Sequence, residues 1–266
     1  MPDYHIERGS TARLSRVDGE LKVGRNATIQ ASEGNTIVVA EGAYFDGGAD
    51  VLSNFECDLL QLEHGGELRV KGDLIVHKLL DVAHSVNTSG LIRAGEIDVG
   101  GRIRAGEIHC DGRIRVGGLL DAKDRVEAKY LEVGGRARIG GKVAIQDLNV
   151  GGLAEVGGGS ILGNIRVGGK FESTAPIEFG NIQVFGQISL PANSKGHRIV
   201  TFGKLEADGD LECTEMQLNG RAEIKGKRGD SIQVISSCHS IAVKGEPDKR
   251  SNEICCGVVR TNSVRL

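Results

Sequence analysis

Seven histidines and six cysteines are the side chains of this 266-residue chain best suited to hold a metal or attack a substrate, and their spacing supports neither role. His5, His64, His77, His84, His109, His197 and His239 share no common register, and no two stand at a separation that lets imidazoles converge on one ion. Cys57, Cys110, Cys213, Cys238, Cys255 and Cys256 include no C-x-x-C pair, so neither a zinc site nor a disulfide framework is expected. The adjacent Cys255 and Cys256 read as two reduced thiols near the chain end. Gly135, Gly140 and Gly141 imitate a phosphate-binding loop, but Lys142 comes one place late and Val143 stands where a hydroxyl is needed. No catalytic residue, cofactor or metal ligand is expected, and the chain reads as something other than an enzyme.

Glycine supplies 40 of the 266 residues, while aromatic residues make up only 3%, so any core must be aliphatic. Lys and Arg (33) nearly balance Asp and Glu (36), which removes a bulk electrostatic drive toward nucleic acid or anionic lipid. The opening MPDYHIERGS has no apolar leader, and no stretch approaches the roughly 18 apolar residues of a membrane span. Cytoplasmic location without membrane insertion is the expectation.

The elements that would position any site come from a repeat. A glycine recurs every 17 residues at Gly101, Gly118, Gly135, Gly152, Gly169, Gly186, Gly203 and Gly220. Counted from Ile97, position 1 is always apolar (Ile97, Ile114, Leu131, Leu148, Ile165, Ile182, Ile199, Met216), and position 3 is nearly so, from Val99 to Leu218. A second pair falls at positions 7 and 9, as in Leu120 and Ala122, and a looser third near 13 and 15, as in Val143 and Ile145. Spacing of two within each pair is the strand period. Three pairs per 17 residues describe a coil of three short strands joined by three corners, with the glycine expected to supply a positive φ at one corner. Parallel crossovers are right-handed in about 98% of cases. The fold class is therefore all-β: a right-handed triangular parallel β-helix with about 17 residues per coil.

The expected division is a short tail over 1–16, a β-helix repeat domain over 17–245 with its regular coils at 97–232, and a polar break with a terminal coil over 246–266. Two places depart from the rule. HSVNTS around His84 replaces a glycine pair, and LPANSKGHR (190–198) replaces a third apolar pair and reads as a surface insertion. On the outer face, a mostly basic column at position 6 (Arg102, Arg136, Lys170, Lys204, Arg221) runs beside a mostly acidic one at position 8 (Asp121, Glu155, Glu172, Glu206, Glu223). Such columns compensate each other, and without interleaved aromatics they do not form a nucleic-acid groove.

The runs GLIRAGEIDVGGRIRAGEIHCDGRIRVGG and LEVGGRARIGGKVAIQDLNVGG resemble the bactofilin family of polymer-forming cytoskeletal β-helix proteins, over at least Gly90 to Ile224 and more weakly over Gly19 to Val82. The resemblance implies filaments that stack end to end, without polarity and without nucleotide. The chain departs from that family in being longer than its usual single domain, in lacking proline-rich tails and in lacking an evident N-terminal membrane-targeting peptide. Solenoid physics points the same way, because a stack of parallel coils ends in open strand edges that must be capped or paired. The apolar residues nearest the two ends, Leu21 and Val23 at one and Val258 and Val259 at the other, are the candidate polymer contacts. The expected function is a self-assembling cytoskeletal filament or scaffold whose partner is a second copy of itself, with other cytoskeletal or envelope proteins as further partners. The alternatives are a glycine-rich β-helical subunit of a larger enzyme, as in glutamate synthase and formylmethanofuran dehydrogenase, or an adaptor that does not polymerise.

Overall fold

The computed structural model describes residues 3–209 and 211–224 and the strands Val234–Ile235 and Ile241–Val243. Every regular element among them is a β-strand, every strand pairing is parallel, and the fold is the right-handed parallel β-helix expected. Contacts divide the chain into two compact units, 1–134 and 135–266, where the repeat pattern led to one domain over 17–245. Coils of a solenoid meet only their neighbours in the stack, so no single core gathers a chain of this length.

In the first unit, one face of the triangle is a sheet of separate short strands, including Glu67–Val70, Ser85–Thr88, Arg102–Ala105 and Leu119–Ala122. The other two faces are made largely by longer strands that bend at a corner, such as Asn54–Leu62 and Leu74–Val82, whose register shifts between Val76 and Leu79. Inward residues stack in columns: Ile97 on Ile114 on Leu131, and Val99 on Val116 on Val133, each no more than 1% exposed. Each such side chain contributes about 1.5–3 kcal/mol by leaving water, and stacking like on like keeps neighbouring coils in register.

The second unit repeats the plan. Leu148, Ile165, Ile182, Ile199 and Met216 form one inward column. Ala137, Ala154, Phe171, Ile188, Leu205 and Ala222 form another, with the large Phe171 next to the small Ala154.

Four expectations change. The segment 1–16 is not a tail, since Tyr4–Ile6, Thr11–Arg13 and Arg16–Val17 are strands of a first coil, with Tyr4 opposite Leu21 and Thr11 opposite Thr28. Both of these pairings keep the 17-residue offset, but Leu21 pairs with Ala43 at an offset of 22, and that step separates the first two coils from the regular spacing of the later ones. The coil at His84 is regular, with Val86 and Thr88 pointing inward at 1% and 3% exposure and the Thr88 hydroxyl donating to the Gly72 carbonyl. The 190–198 segment is no insertion. Ser194–Thr201 is a strand in register with its neighbours, Ser194 Oγ donates to Pro191 O at 2.9 Å, and a Cβ on Gly196 would lie 2.1 Å from the Phe179 ring. The third apolar pair is missing there because Phe179 already occupies its space.

The fourth concerns why the ladder is glycine. Of its eight members only Gly220 has a positive φ, and at 159° that is at the margin of extended backbone. Close approach is the cause instead. Gly118 N donates to Gly101 O at 2.9 Å, and Gly169 N to Gly152 O at 3.0 Å, so consecutive corners stack main chain on main chain. A Cβ on Gly118 would sit 2.7 Å from Gly101 O, on Gly186 2.1 Å from Gly169 O, and on Gly203 2.0 Å from Gly186 O. No side chain of any kind fits at those distances.

Candidate assembly edge

The first coil is where the solenoid physics acts. Among the described residues, Tyr4–Ile6, Thr11–Arg13 and Arg16–Val17 each pair on one side only, with the second coil or the one after it. In a parallel ladder alternate residues direct their main-chain groups to opposite neighbours. Tyr4 N donates to Glu20 O at 2.9 Å, Ile6 O accepts from Gly24 N at 2.8 Å, Ser10 O accepts from Thr28 N at 2.9 Å, and Leu14 N donates to Gln30 O at 3.1 Å. Those residues bond downward into the stack, which leaves the amides and carbonyls of His5, Thr11 and Arg13 facing the open side. Tyr4, in register with the fully buried Leu21, is itself 45% exposed, because no coil among the described residues covers its ring. Among the described residues, the edge thus combines hydrogen-bonding groups without a strand partner with a half-exposed core ring, a surface that favours pairing with another strand.

Leu21 and Val23, expected as contacts, are 0% and 2% exposed beneath this coil and are core. The residues that do form the edge lie beyond the 22-residue step from Leu21 to Ala43, outside the regular spacing of the later coils. Val258 and Val259, with Cys255, Cys256 and the terminal segment 246–266, lie outside the described residues.

Several of the described histidines lie beside carboxylates of their own or a neighbouring coil. His77 Nε2 lies 3.0 Å from Glu56, His64 Nδ1 3.0 Å from Asp46, and His109 lies between Glu107 at 2.8 Å and Glu127 at 3.7 Å. Among the described residues no group of three or more His, Cys, Asp or Glu is arranged to hold a metal ion. Cys57, Cys110 and Cys213 are buried inward, and desolvation raises all three thiols, that of Cys110 to about 11 and that of Cys213 to about 12. They are poor nucleophiles at neutral pH.

Charge compensation on the outer face runs within position 8, where Arg104 and Arg138 alternate with acidic residues, as well as between positions 6 and 8. Arg104 meets Asp121 at 3.5 Å, Arg138 meets Glu155 at 2.7 Å, and Lys170 and Lys204 meet Glu172 and Glu206. A shallow depression on another face of the first unit is lined by Leu79, Asp81, Glu96, Asp98, Arg113 and Arg115. Arg115 bridges Asp98 at 3.5 Å and Glu132 at 3.6 Å, whereas desolvation and the neighbouring Asp98 raise the Asp81 carboxyl above its usual value. That arrangement is an ion-pair ladder open to solvent rather than an enclosed reaction chamber. No helix among the described residues is long and apolar enough to cross a membrane, which says nothing of strands. Comparison of the chain with protein-family models, with curated proteins and with solved structures finds no match.

Proposed function

We propose that this protein is structural rather than enzymatic, a cytoplasmic scaffold in which copies of the chain join end to end without nucleotide, as its resemblance to bactofilins implies. One observation carries the reading: the first coil presents three strands paired on one side only, with Tyr4 half-exposed in the core column. A second copy, pairing edge to edge, satisfies those groups and buries the ring, whereas the outer columns at positions 6 and 8 carry compensated charge. Other cytoskeletal or envelope proteins remain further partners in this reading.

Thr11→Pro tests it. The Thr11 amide faces the open side, so proline there removes a donor needed only by an incoming strand and is tolerated as on other edge strands. The wild-type chain is expected to sediment as filaments visible by negative-stain microscopy without added nucleotide. Thr11→Pro is expected to remain a folded monomer with unchanged circular dichroism. Wild-type protein that stays monomeric at high concentration, or filaments indifferent to Thr11→Pro, would discard the reading.

A further inference from the structure

The second unit carries an aromatic pair on its outside. At the corner before the ladder glycine, position 4 of the repeat, the residues run Gly151, Gly168, Phe185, Phe202 and Asn219. Phe185 and Phe202 are 57% and 45% exposed, and their rings stack with centroids 5.1 Å apart and planes within 9°. In a chain with only six Phe, two are thus spent in water on adjacent coils. Immediately before them the same corner is bare backbone. A Cβ on Gly168 would lie 2.2 Å from Gly151 O, so this shelf cannot be filled by the chain's own side chains.

We propose that this edge docks a second copy of the chain side by side and antiparallel, the Phe185–Phe202 ridge of each copy lying on the Gly151–Gly168 shelf of the other. The contact is lateral and does not depend on end-to-end assembly. Ridge and shelf occupy consecutive coils of one corner, so a two-fold axis between the coils of Gly168 and Phe185 exchanges Phe185 with Gly168 and Phe202 with Gly151. Such a surface is self-complementary, which is the requirement of an isologous dimer.

The fit of ridge to shelf sets the direction, and the flanking columns of the four central coils agree with it. Beside the ridge run Asn149, Arg166, Gln183 and Val200 on one side and Leu153, Lys170, Gln187 and Lys204 on the other. The antiparallel axis sets Arg166 against Gln183, Asn149 against Val200, Lys170 against Gln187 and Leu153 against Lys204, with no like charges opposed in these four coils; one coil farther out it sets Arg136 against Arg221, which confines the contact to the four central coils. A parallel arrangement would bring Arg166 of one copy against Lys170 of the other, and like charges in contact are unfavourable. The exposed parts of the two rings supply roughly 200 Å², against about 800 Å² per partner in a standard interface. The lateral pair is accordingly weak, and its population rises with concentration.

The test uses the full chain with p-benzoylphenylalanine in place of Phe185, mixed with wild-type chain labelled with nitrogen-15 and irradiated. Label distinguishes cross-links between chains from those within one. A cross-linked dimer is expected in which the probe is attached to the labelled tryptic peptide of residues 167–170, in a yield that grows with concentration. Phe202→Ser in both chains is expected to reduce that yield several-fold while leaving the circular dichroism unchanged. Absence of any labelled product, a product on the peptide of residues 171–195 as a parallel pair would give, or a product on the first coil would each overturn the proposal. Thr11→Pro, which blocks the end edge, is expected to leave the cross-link in place, so loss of end assembly and loss of side pairing are read separately.

Discussion

Corners of the two units solve the same stacking problem in two ways. In the first unit the corner at Gly117 and Gly118 is double glycine, and the amides of both Gly118 and Leu119 donate to Gly101 O, at 2.9 and 3.0 Å. In the second unit the corners at Gly152 and Gly169 follow the same form, but those at Phe185 and Phe202 do not. There, among the described residues, the bond to the preceding coil's glycine comes from the residue after the ladder glycine, Gln187 to Gly169 O at 3.0 Å and Lys204 to Gly186 O at 2.8 Å. The outer face beside these corners differs as well. Asp98, Arg115 and Glu132 form a charged ladder in the first unit, while Gln183, Val200 and Gln217 are uncharged in the second. The ladder glycine at position 5 is a steric necessity common to both, whereas position 4 admits a side chain where the turn changes, and what stands there decides whether the edge is inert or adhesive.

Transplanting the second form onto the first gives the largest expected effect. A Cβ on Gly117 would sit 2.0 Å from Gly100 O, so Gly117→Phe must displace main chain and should cost on the order of 3–5 kcal/mol, read as a lowered denaturation midpoint. Next comes Gly203→Ala, whose Cβ would lie 2.0 Å from Gly186 O, against 2.7 Å for Gly118→Ala to Gly101 O. Both should destabilise, by about 1–3 kcal/mol, with position 203 the worse. An equal or reversed ranking in thermal melts would show that corner relaxation, not carbonyl distance, governs the ladder.

Thr201 tests the core beside the altered corner. It is fully buried in the column of Val184 and Leu218, and its Oγ1 has no hydrogen-bond partner. Thr201→Val keeps the shape and removes an unsatisfied hydroxyl, so a gain of about 1 kcal/mol is expected in chemical denaturation. The smallest effect belongs to the charged ladder. Because the Asp81 carboxyl is raised in the folded state, folding favours its protonated form, and stability from this group declines as pH rises past the usual value near 3.8. Asp81→Asn should therefore raise the melting temperature slightly at pH 7 and leave it unchanged near pH 3, the half-exposed position holding the gain under about 0.5 kcal/mol. A gain at pH 3 would assign the effect to packing instead of charge.

Much of the coil was legible because strand period and stacking period are both local facts of spacing. Ile97, Val99 and Ile103 announce their inward direction two residues at a time, and every later coil repeats it. Misreadings occurred where one residue's place depends on a neighbour a full coil away. Gly196 looked like part of a loop because its missing side chain is explained only by the Phe179 ring, 17 residues earlier in sequence and directly beneath it in the stack. The first coil looked like a tail because, although Tyr4 and Thr11 keep the 17-residue offset to the second coil, Leu21 of the second is offset by 22 from Ala43 of the third, which interrupts the regular run. Phe185 and Phe202 stand where earlier coils carry glycine at position 4, and nothing in spacing says that the two rings stack or stand in water.

Residue types and the distances at which they recur are enough for the period, the three-sided coil, the aliphatic core and the mutual neutralisation of the outer charges. Why the ladder is glycine, which described coil pairs on one side only and which corner carries exposed rings come instead from the folded molecule. Those depend on distances between atoms remote along the chain, such as the 2.0 Å from a Cβ at Gly203 to Gly186 O, and on which residues no coil among those described covers, such as Tyr4.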